Sequence, residues 1–251
     1  MISPVLVEVH GDGPRLVFVH GAITNGPTAW AKQLPLAERW QLVVLTRPGF
    51  VPGPPIERCD FAPDAAAVAQ LLDEPAHLVG HSYGGLIALL AAAQRPDAVR
   101  SLTVVEPPVF SLVRGNPLVE DAITQHLDAM REHGDDPRAF MVFFTERLGA
   151  DPANVPDPLP DALRQGVELL IRERYPWEAE IPVDALAAGR FRTLVVSGNH
   201  SPLHEMMCDA LADSLGARAE RAVIEGRGHN VQRTGVAFND RLERFLNSAV
   251  N

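Results

Sequence analysis

Short apolar runs rich in valine and leucine alternate along this chain with helix-like stretches, and this alternation constrains the fold more than any other feature. Runs that are too short for a helix and rich in β-branched residues are typical of strands buried on both faces. Alternation of such strands with helices predicts an α/β fold, in which a mostly parallel sheet carries helices on both faces. The predicted strands are 15–20, 41–46, 76–80, 101–106, 192–197 and 219–225, and the predicted helices include 63–73, 83–94 and 236–248.

The strand pattern stops after residue 106 and returns only after residue 190. The intervening stretch is polar and punctuated by prolines, with helical periodicity near 117–133, 137–148 and 160–174. We therefore predict one α/β core, formed by residues 1–106 and 191–251, into which residues 107–190 are inserted as a helical cap.

The 251 residues carry 22 basic and 32 acidic side chains, which gives a formal net charge of −10. An acidic chain without a basic cluster is a poor partner for nucleic acid or for an anionic membrane surface. The first ten residues lack the pattern of an export signal, and Cys59 and Cys208 show no disulfide or metal spacing. The sequence favours a cytoplasmic monomer or homodimer that acts on a small molecule.

The segment Gly80-His81-Ser82-Tyr83-Gly84 fits the pattern G-x-S-x-G, with a predicted strand directly before it and a predicted helix directly after. In this context the serine occupies a sharp strand-to-helix turn, where only glycine fits at the flanking positions. The pattern alone occurs by chance in many chains, but the strand and helix around it make it specific. Ser82 is therefore the candidate nucleophile.

A serine hydroxyl needs an adjacent base to become nucleophilic at neutral pH. His229 is the candidate base, because it lies in a loop between the last predicted strand and the last predicted helix, at the carboxyl edge of the sheet. We expect His81 to point away from the nucleophile. His200 and His204 have the i, i+4 spacing of half a metal site, but no third ligand accompanies them in sequence, so no metal is predicted. His10, His126 and His133 are expected to be solvated or packing residues.

An oxyanion formed during acyl transfer is usually held by two backbone N–H groups, one after the nucleophile and one in an early loop. Here these amides are predicted to be those of Tyr83 and Ala22. His20 is expected to hold the early loop by hydrogen bonds.

Four of these features together resemble the α/β-hydrolase family: His20-Gly21 after one strand, Arg47-Pro48-Gly49 after the next, the G-x-S-x-G turn, and Gly228-His229 in a late loop. The resemblance implies an α/β-hydrolase fold with a helical cap and no cofactor. One position departs from the family pattern. Many members have an aspartate in a Gly-x-x-Asp motif, and that aspartate orients the histidine, but this chain has Ser201 there.

Glu106 is the candidate replacement for that acid, since it ends the strand that follows the nucleophile helix. Haloalkane dehalogenases, certain lipases and fungal zearalenone lactonases take their acid from this strand. Two alternatives stay open at this point: the acid lies elsewhere in the chain, or there is none. Dehalogenases use an aspartate nucleophile, so Ser82 instead indicates acyl transfer to water.

The substrate pocket is the least predictable part of the site. The stretch Arg174-Tyr175-Pro176-Trp177 resembles a Tyr-Pro-x-Trp motif of the lactonases, with one residue fewer. We predict a serine hydrolase that cleaves an ester or lactone bond in a moderately apolar small molecule. A C–C or thioester hydrolase and a non-catalytic receptor are the alternatives. Residues expected to line the pocket are Trp30, Phe110, Phe143 and Trp177, and those that could meet an anionic group are Arg114, Arg172 and Arg174.

Overall fold

A computed structural model describes residues 5–249, and their central element is a seven-stranded sheet with the strand order β1-β3-β2-β4-β5-β6-β7. All neighbouring strands pair in parallel except β1, which is antiparallel to β3 at one edge. This confirms the predicted α/β fold with a mostly parallel sheet. The strands are β1 (Leu6–His10), β2 (Arg15–Val19), β3 (Gln41–Thr46), β4 (Ala76–His81), β5 (Val99–Val105), β6 (Arg192–Ser197) and β7 (Ala219–Val223).

Helices cover both faces of the sheet. The strands β2 to β6 are therefore buried along almost their whole length. One apolar layer contains side chains of α2, α3, α7 and α8, and the other contains Trp30, Trp40 and the apolar face of α9. The α-helices are α1 (Gly26–Ala29), α2 (Phe61–Leu71), α3 (Tyr83–Gln94), α4 (Pro117–His133), α5 (Pro137–Arg147), α6 (Asp161–Ile171), α7 (Val183–Ala188), α8 (Pro202–Leu215) and α9 (Val236–Ala249).

Residues 107–190, which we call the inserted segment, carry α4 to α7 and contain no strand. Asn116 begins α4 by accepting a hydrogen bond from the Leu118 N–H, and Asp136 caps α5 in the same way. A small apolar cluster centred on Phe140 joins α4, α5 and α6 and also contacts Ala22 and Ile23 of the core. The inserted segment therefore lies over the loop that follows β2.

Among residues 5–249, no helix combines the length and the apolar character that crossing a membrane requires. Cys59 and Cys208 are free and buried.

Candidate active site

The turn at Ser82 connects β4 to α3 under backbone strain. Ser82 has φ +54° and ψ −126°, a conformation that residues with a side chain rarely adopt. A Cβ on Gly80 would lie 2.3 Å from the carbonyl oxygen of Gly84, and a Cβ on Gly84 would lie 2.3 Å from that of His20. The two flanking glycines are thus required by close backbone contacts, and the turn holds Ser82 at the carboxyl edge of the sheet.

Glu106 follows β5 and is the acid that contacts His229. His229 Nδ1 and Glu106 Oε2 are 2.6 Å apart, and Glu106 Oε1 accepts a hydrogen bond of 2.7 Å from the Gly198 N–H. The Glu106 side chain is fully buried and its backbone has φ +46°, a strained conformation of the kind that clusters at functional sites. Burial would raise the pKa of Glu106, but its contacts with His200 and His229 outweigh burial and hold that pKa well below its usual range.

Ser201 does not supply an acid, and the nearest glutamate on α8 is engaged elsewhere. Glu205 accepts hydrogen bonds from the Ser197 hydroxyl, the Asn199 N–H and the Arg221 guanidinium. Glu106 is therefore the carboxylate positioned to orient His229.

Ser82, Glu106 and His229 line one cavity of about 220 Å³, together with Ala22 and Tyr83. Within residues 5–249 the Ser82 hydroxyl forms no hydrogen bond to His229. Such contacts are often long in unliganded enzymes and tighten when substrate binds. The N–H groups of Ala22 and Tyr83 donate no hydrogen bond in the same part of the chain, so both are free to bind an oxyanion.

His81 points away from Ser82 and instead holds the loop that carries the base. Its Nε2 lies 2.9 Å from the carbonyl oxygen of His229. Burial, and then the proximity of the His229 ring, lower the pKa of His81 to about 3, so the His81 ring stays neutral near pH 7 and donates this bond. The sequence contained this residue within the G-x-S-x-G turn but gave no signal for its positioning role.

Arg47 lies under the early loop and ties it to the inserted segment. Its guanidinium contacts Asp64 at 2.8 Å and Glu173 at 3.2 Å, and it donates to the carbonyl of Gly21. The Arg47 N–H donates to His20 Nε2, which accounts for the expected role of His20 in holding this loop. One buried cation faces two buried carboxylates, and burial raises the pKa of Glu173 to about 7.

The cavity wall is mostly aromatic and aliphatic. Phe110, Phe143 and Trp177, which the sequence offered as pocket residues, are among the residues that line it. Trp30 does not: its ring packs against Phe18 at a centroid distance of 4.8 Å, and only 1% of it is exposed. The prediction for Trp30 is corrected because this residue, directly after α1, places its indole in the apolar layer on the face of the sheet, where burial stabilises it.

Three further polar side chains face the cavity, although the sequence did not mark them as pocket residues. His126 packs among four aromatic rings and also lines the wall, and His204 and Arg147 lie nearby in the lining. Arg114, Arg172 and Arg174, which the sequence offered as groups that could meet an anion, pair with Glu120, Glu168 and Glu178.

A sequence model of the alpha/beta hydrolase family matches residues 16–241. The chain belongs to this family. It is an alpha/beta hydrolase, and its nucleophile turn and its late histidine loop lie within the matched residues.

Curated relatives of this alpha/beta hydrolase include esterases. A pimeloyl-[acyl-carrier protein] methyl ester esterase of Aeromonas hydrophila is 38% identical over 110 residues, which is 42% of this chain and 43% of the relative. The chain thus aligns with about two fifths of the length of the first such relatives. The esterase of the same name from Xanthomonas oryzae pv. oryzae is 29% identical over 249 residues, which is 89% of this chain and 90% of that protein.

Solved structures show the same fold at low sequence identity. A thermophilic esterase from Thermogutta terrifontis is 18% identical with a TM-score of 0.72, covering 98% of this chain and 93% of that one. An alpha/beta hydrolase from Sphaerobacter thermophilus is 24% identical with a TM-score of 0.70, and the match covers 96% of this chain and 95% of that one.

Proposed function

We propose that this protein is a serine hydrolase that cleaves a carboxylic ester through an acyl-enzyme, with Ser82 as nucleophile, His229 as base and Glu106 as the acid that orients the base. The observation that carries the proposal is the 2.6 Å contact between His229 Nδ1 and Glu106 Oε2 in the cavity that also exposes Ser82. This contact leaves the proton on Nδ1, so that Nε2 is free to accept a proton.

The proposed reaction has two steps. In the first, Ser82 Oγ attacks the ester carbonyl while His229 Nε2 takes its proton, and the Ala22 and Tyr83 N–H groups stabilise the oxyanion. His229 then returns the proton to the leaving alcohol, and Ser82 keeps the acyl group. In the second step, water attacks the acyl-enzyme with His229 again as base, which releases the acid and restores Ser82.

The mostly apolar wall of the cavity supports an ester of moderate size with an apolar surface. Its volume of about 220 Å³ lies below the ~300–1,000 Å³ typical of ligand pockets, which favours a compact substrate. We further propose that the inserted segment serves as a cap, because its aromatic side chains Phe143 and Trp177 form part of the wall. Closure by these side chains would exclude water around the ester.

Arg147 gives the cavity one cationic group. Its guanidinium is half-buried, donates to Gln125 and pairs with no carboxylate in residues 5–249. Burial lowers the pKa of Arg147, as expected for a half-buried cation without a paired carboxylate. A substrate that carries a free, ionised carboxylate in addition to its ester group would supply a partner for the Arg147 guanidinium.

An oxygen ester is the bond that the relatives favour, because the curated esterases are described as cleaving a methyl ester. A lactone stays within the proposal, since ring opening uses the same steps. Nothing in the cavity favours a C–C bond or a thioester. A purely receptor role does not account for the strain at Ser82 or for the burial of Glu106 against His229.

A panel of p-nitrophenyl esters with acyl chains of two to eight carbons, together with simple lactones, tests this function. We expect the highest kcat/KM on short and medium esters, and loss of turnover in Ser82→Ala with the fold retained. Turnover of the panel by Ser82→Ala at the wild-type rate would contradict the proposal.

A further inference from the structure

Four side chains converge at one end of the cavity, and the proposed mechanism uses only two of them. Glu106, His200, His204 and His229 each offer one ligand atom, and these four atoms all lie within 4.8 Å of one another. The ring centroids of His200 and His204 are 4.8 Å apart, and those of His204 and His229 are 4.9 Å apart. His200 follows β6 and His204 lies in the first turn of α8, so one short segment brings both to the Glu106–His229 pair.

The two additional histidines have buried nitrogens without partners. His200 Nδ1, His200 Nε2 and His204 Nδ1 are inaccessible to solvent. His200 Nδ1 is in polar contact with Glu106 Oε1 at 3.3 Å, whereas His200 Nε2 and His204 Nδ1 have no hydrogen-bond partner among the described residues, and only 9% of the His200 side chain is exposed. A buried polar group without a partner destabilises the folded protein, so buried nitrogens normally have a protein, water or ion partner.

We propose that Glu106, His200, His204 and His229 form a binding site for Zn²⁺, and that occupation of this site switches the hydrolase off. Three imidazoles and one carboxylate are a donor set that suits Zn²⁺ and not the oxygen-preferring Mg²⁺ or Ca²⁺. Tetrahedral bonds of about 2.0–2.1 Å place ligand atoms roughly 3.4 Å apart. Separations of up to 4.8 Å must therefore shorten by up to about 1.4 Å, which rotation of the histidine side chains can provide.

Four protein ligands leave tetrahedral Zn²⁺ no open position for a reactive water, so this site inhibits and does not catalyse. The inhibition rests on the proposed function, in which His229 Nε2 accepts the Ser82 proton. If Zn²⁺ binds Nε2, the metal occupies the lone pair that would accept this proton. If Zn²⁺ binds Nδ1, the ring proton moves to Nε2, which then cannot accept another. Either arrangement removes the base.

Ester hydrolysis measured with and without micromolar ZnCl₂ tests the proposal, with each variant compared with its own metal-free rate. We expect Zn²⁺ to reduce wild-type kcat/KM by about tenfold or more. EDTA should restore the rate, and MgCl₂ and CaCl₂ should have no effect. His204→Phe and His200→Phe should each raise the inhibitory Zn²⁺ concentration at least about tenfold.

His126→Phe is the matched control, because His126 lines the same cavity outside the cluster and its removal should leave Zn²⁺ sensitivity unchanged. Equal inhibition of wild type, His200→Phe and His204→Phe would overturn the site. If a phenylalanine variant does not fold, His204→Gln and His200→Gln take its place, with folding checked by circular dichroism.

Co²⁺ binding to the Ser82→Ala protein separates this inference from the proposed function, because it needs no hydrolysis. Intense visible absorption of four-coordinate Co²⁺, lost when His204→Phe is added, supports the metal site even if the protein hydrolyses no ester. Weak absorption typical of six-coordinate Co²⁺, or an intense spectrum and a Co²⁺ affinity that are both unchanged in the double variant, contradicts the site. The proposed function is tested separately by ester hydrolysis in the wild-type protein, and hydrolysis there supports that function whichever result the Co²⁺ experiment gives.

Discussion

Replacing Glu106 by glutamine removes a charge and changes which proton His229 carries. Glu106 accepts two hydrogen bonds, from the Gly198 N–H at 2.7 Å and from His229 Nδ1 at 2.6 Å. A glutamine has only one oxygen. The Gly198 amide is always a donor, so the glutamine oxygen will face it and the glutamine NH₂ will face His229. The ring must then accept at Nδ1 and carry its proton on Nε2.

A proton on Nε2 prevents His229 from accepting the Ser82 proton, and the variant also lacks the charge that stabilises the imidazolium. Wrong-tautomer variants of serine hydrolase triads lose about 10⁴ in kcat. We expect a loss of about 10³ to 10⁴ for Glu106→Gln, which corresponds to roughly 4–5.5 kcal/mol at 1.36 kcal/mol per tenfold. Substrate binding should change little, because Glu106 acts on the substrate through His229.

The assay is steady-state hydrolysis of p-nitrophenyl butyrate by wild type, Glu106→Gln and Glu225→Gln. Glu225 is an exposed glutamate near the same loops, and among residues 5–249 its side chain bonds to that of Asn199 alone, so its variant should keep wild-type kcat. Thermal unfolding followed by circular dichroism checks that each protein is folded. A loss of less than about tenfold in folded Glu106→Gln would refute the assignment of the acid.

Three further predictions concern the charges around the site. Arg47→Met should destabilise the protein by about 3–5 kcal/mol, measured by urea unfolding, because Asp64 and Glu173 lose their buried cation. The folded-state pKa of Glu173 is raised to about 7, so this group makes wild type most stable below about pH 4.5 and progressively less stable up to pH 7. Glu173→Gln should remove the part of the fall in Tm between about pH 4.5 and pH 7 that Glu173 causes. Parallel curves of Tm against pH for wild type and Glu173→Gln would contradict this prediction. Arg147→Met should lower kcat/KM for monomethyl dicarboxylates but not for neutral methyl esters, whereas Arg138→Met should affect neither, because Arg138 pairs with Asp157 and does not line the cavity.

Local patterns predicted the main elements of the fold because they depend on neighbouring residues. Strand 41–46 and helices 83–94 and 117–133 agree with β3, α3 and α4, and the last of these begins at a proline after an asparagine cap. Strand β1 was not predicted, since Leu6–His10 is an exposed edge strand with little apolar burial to mark it. The fifth strand ends one residue before Glu106, whose positive φ turns the chain.

The candidate site was predictable where topology alone brings residues together. Ser82, Glu106 and His229 follow three strands of one parallel sheet, so their convergence follows from the strand pattern. The approach of His200 and His204 to Glu106 depends instead on how the loop after β6 turns, and no local pattern encodes that direction. For the same reason the sequence could not show that Trp30 faces the core or that Arg147 faces the cavity.

Covalent labelling of Ser82 tests the proposed chemistry most directly. A fluorophosphonate reacts with a serine only when a base activates its hydroxyl and an oxyanion site accepts the phosphoryl oxygen. We predict that peptide mass spectrometry of the folded wild-type protein will find the modification on Ser82, that Ser82→Ala will remain unlabelled, and that Glu106→Gln will be labelled far more slowly. Folded wild-type protein that remains unlabelled, or that is labelled equally well after Ser82→Ala, would contradict a serine hydrolase built on Ser82, His229 and Glu106.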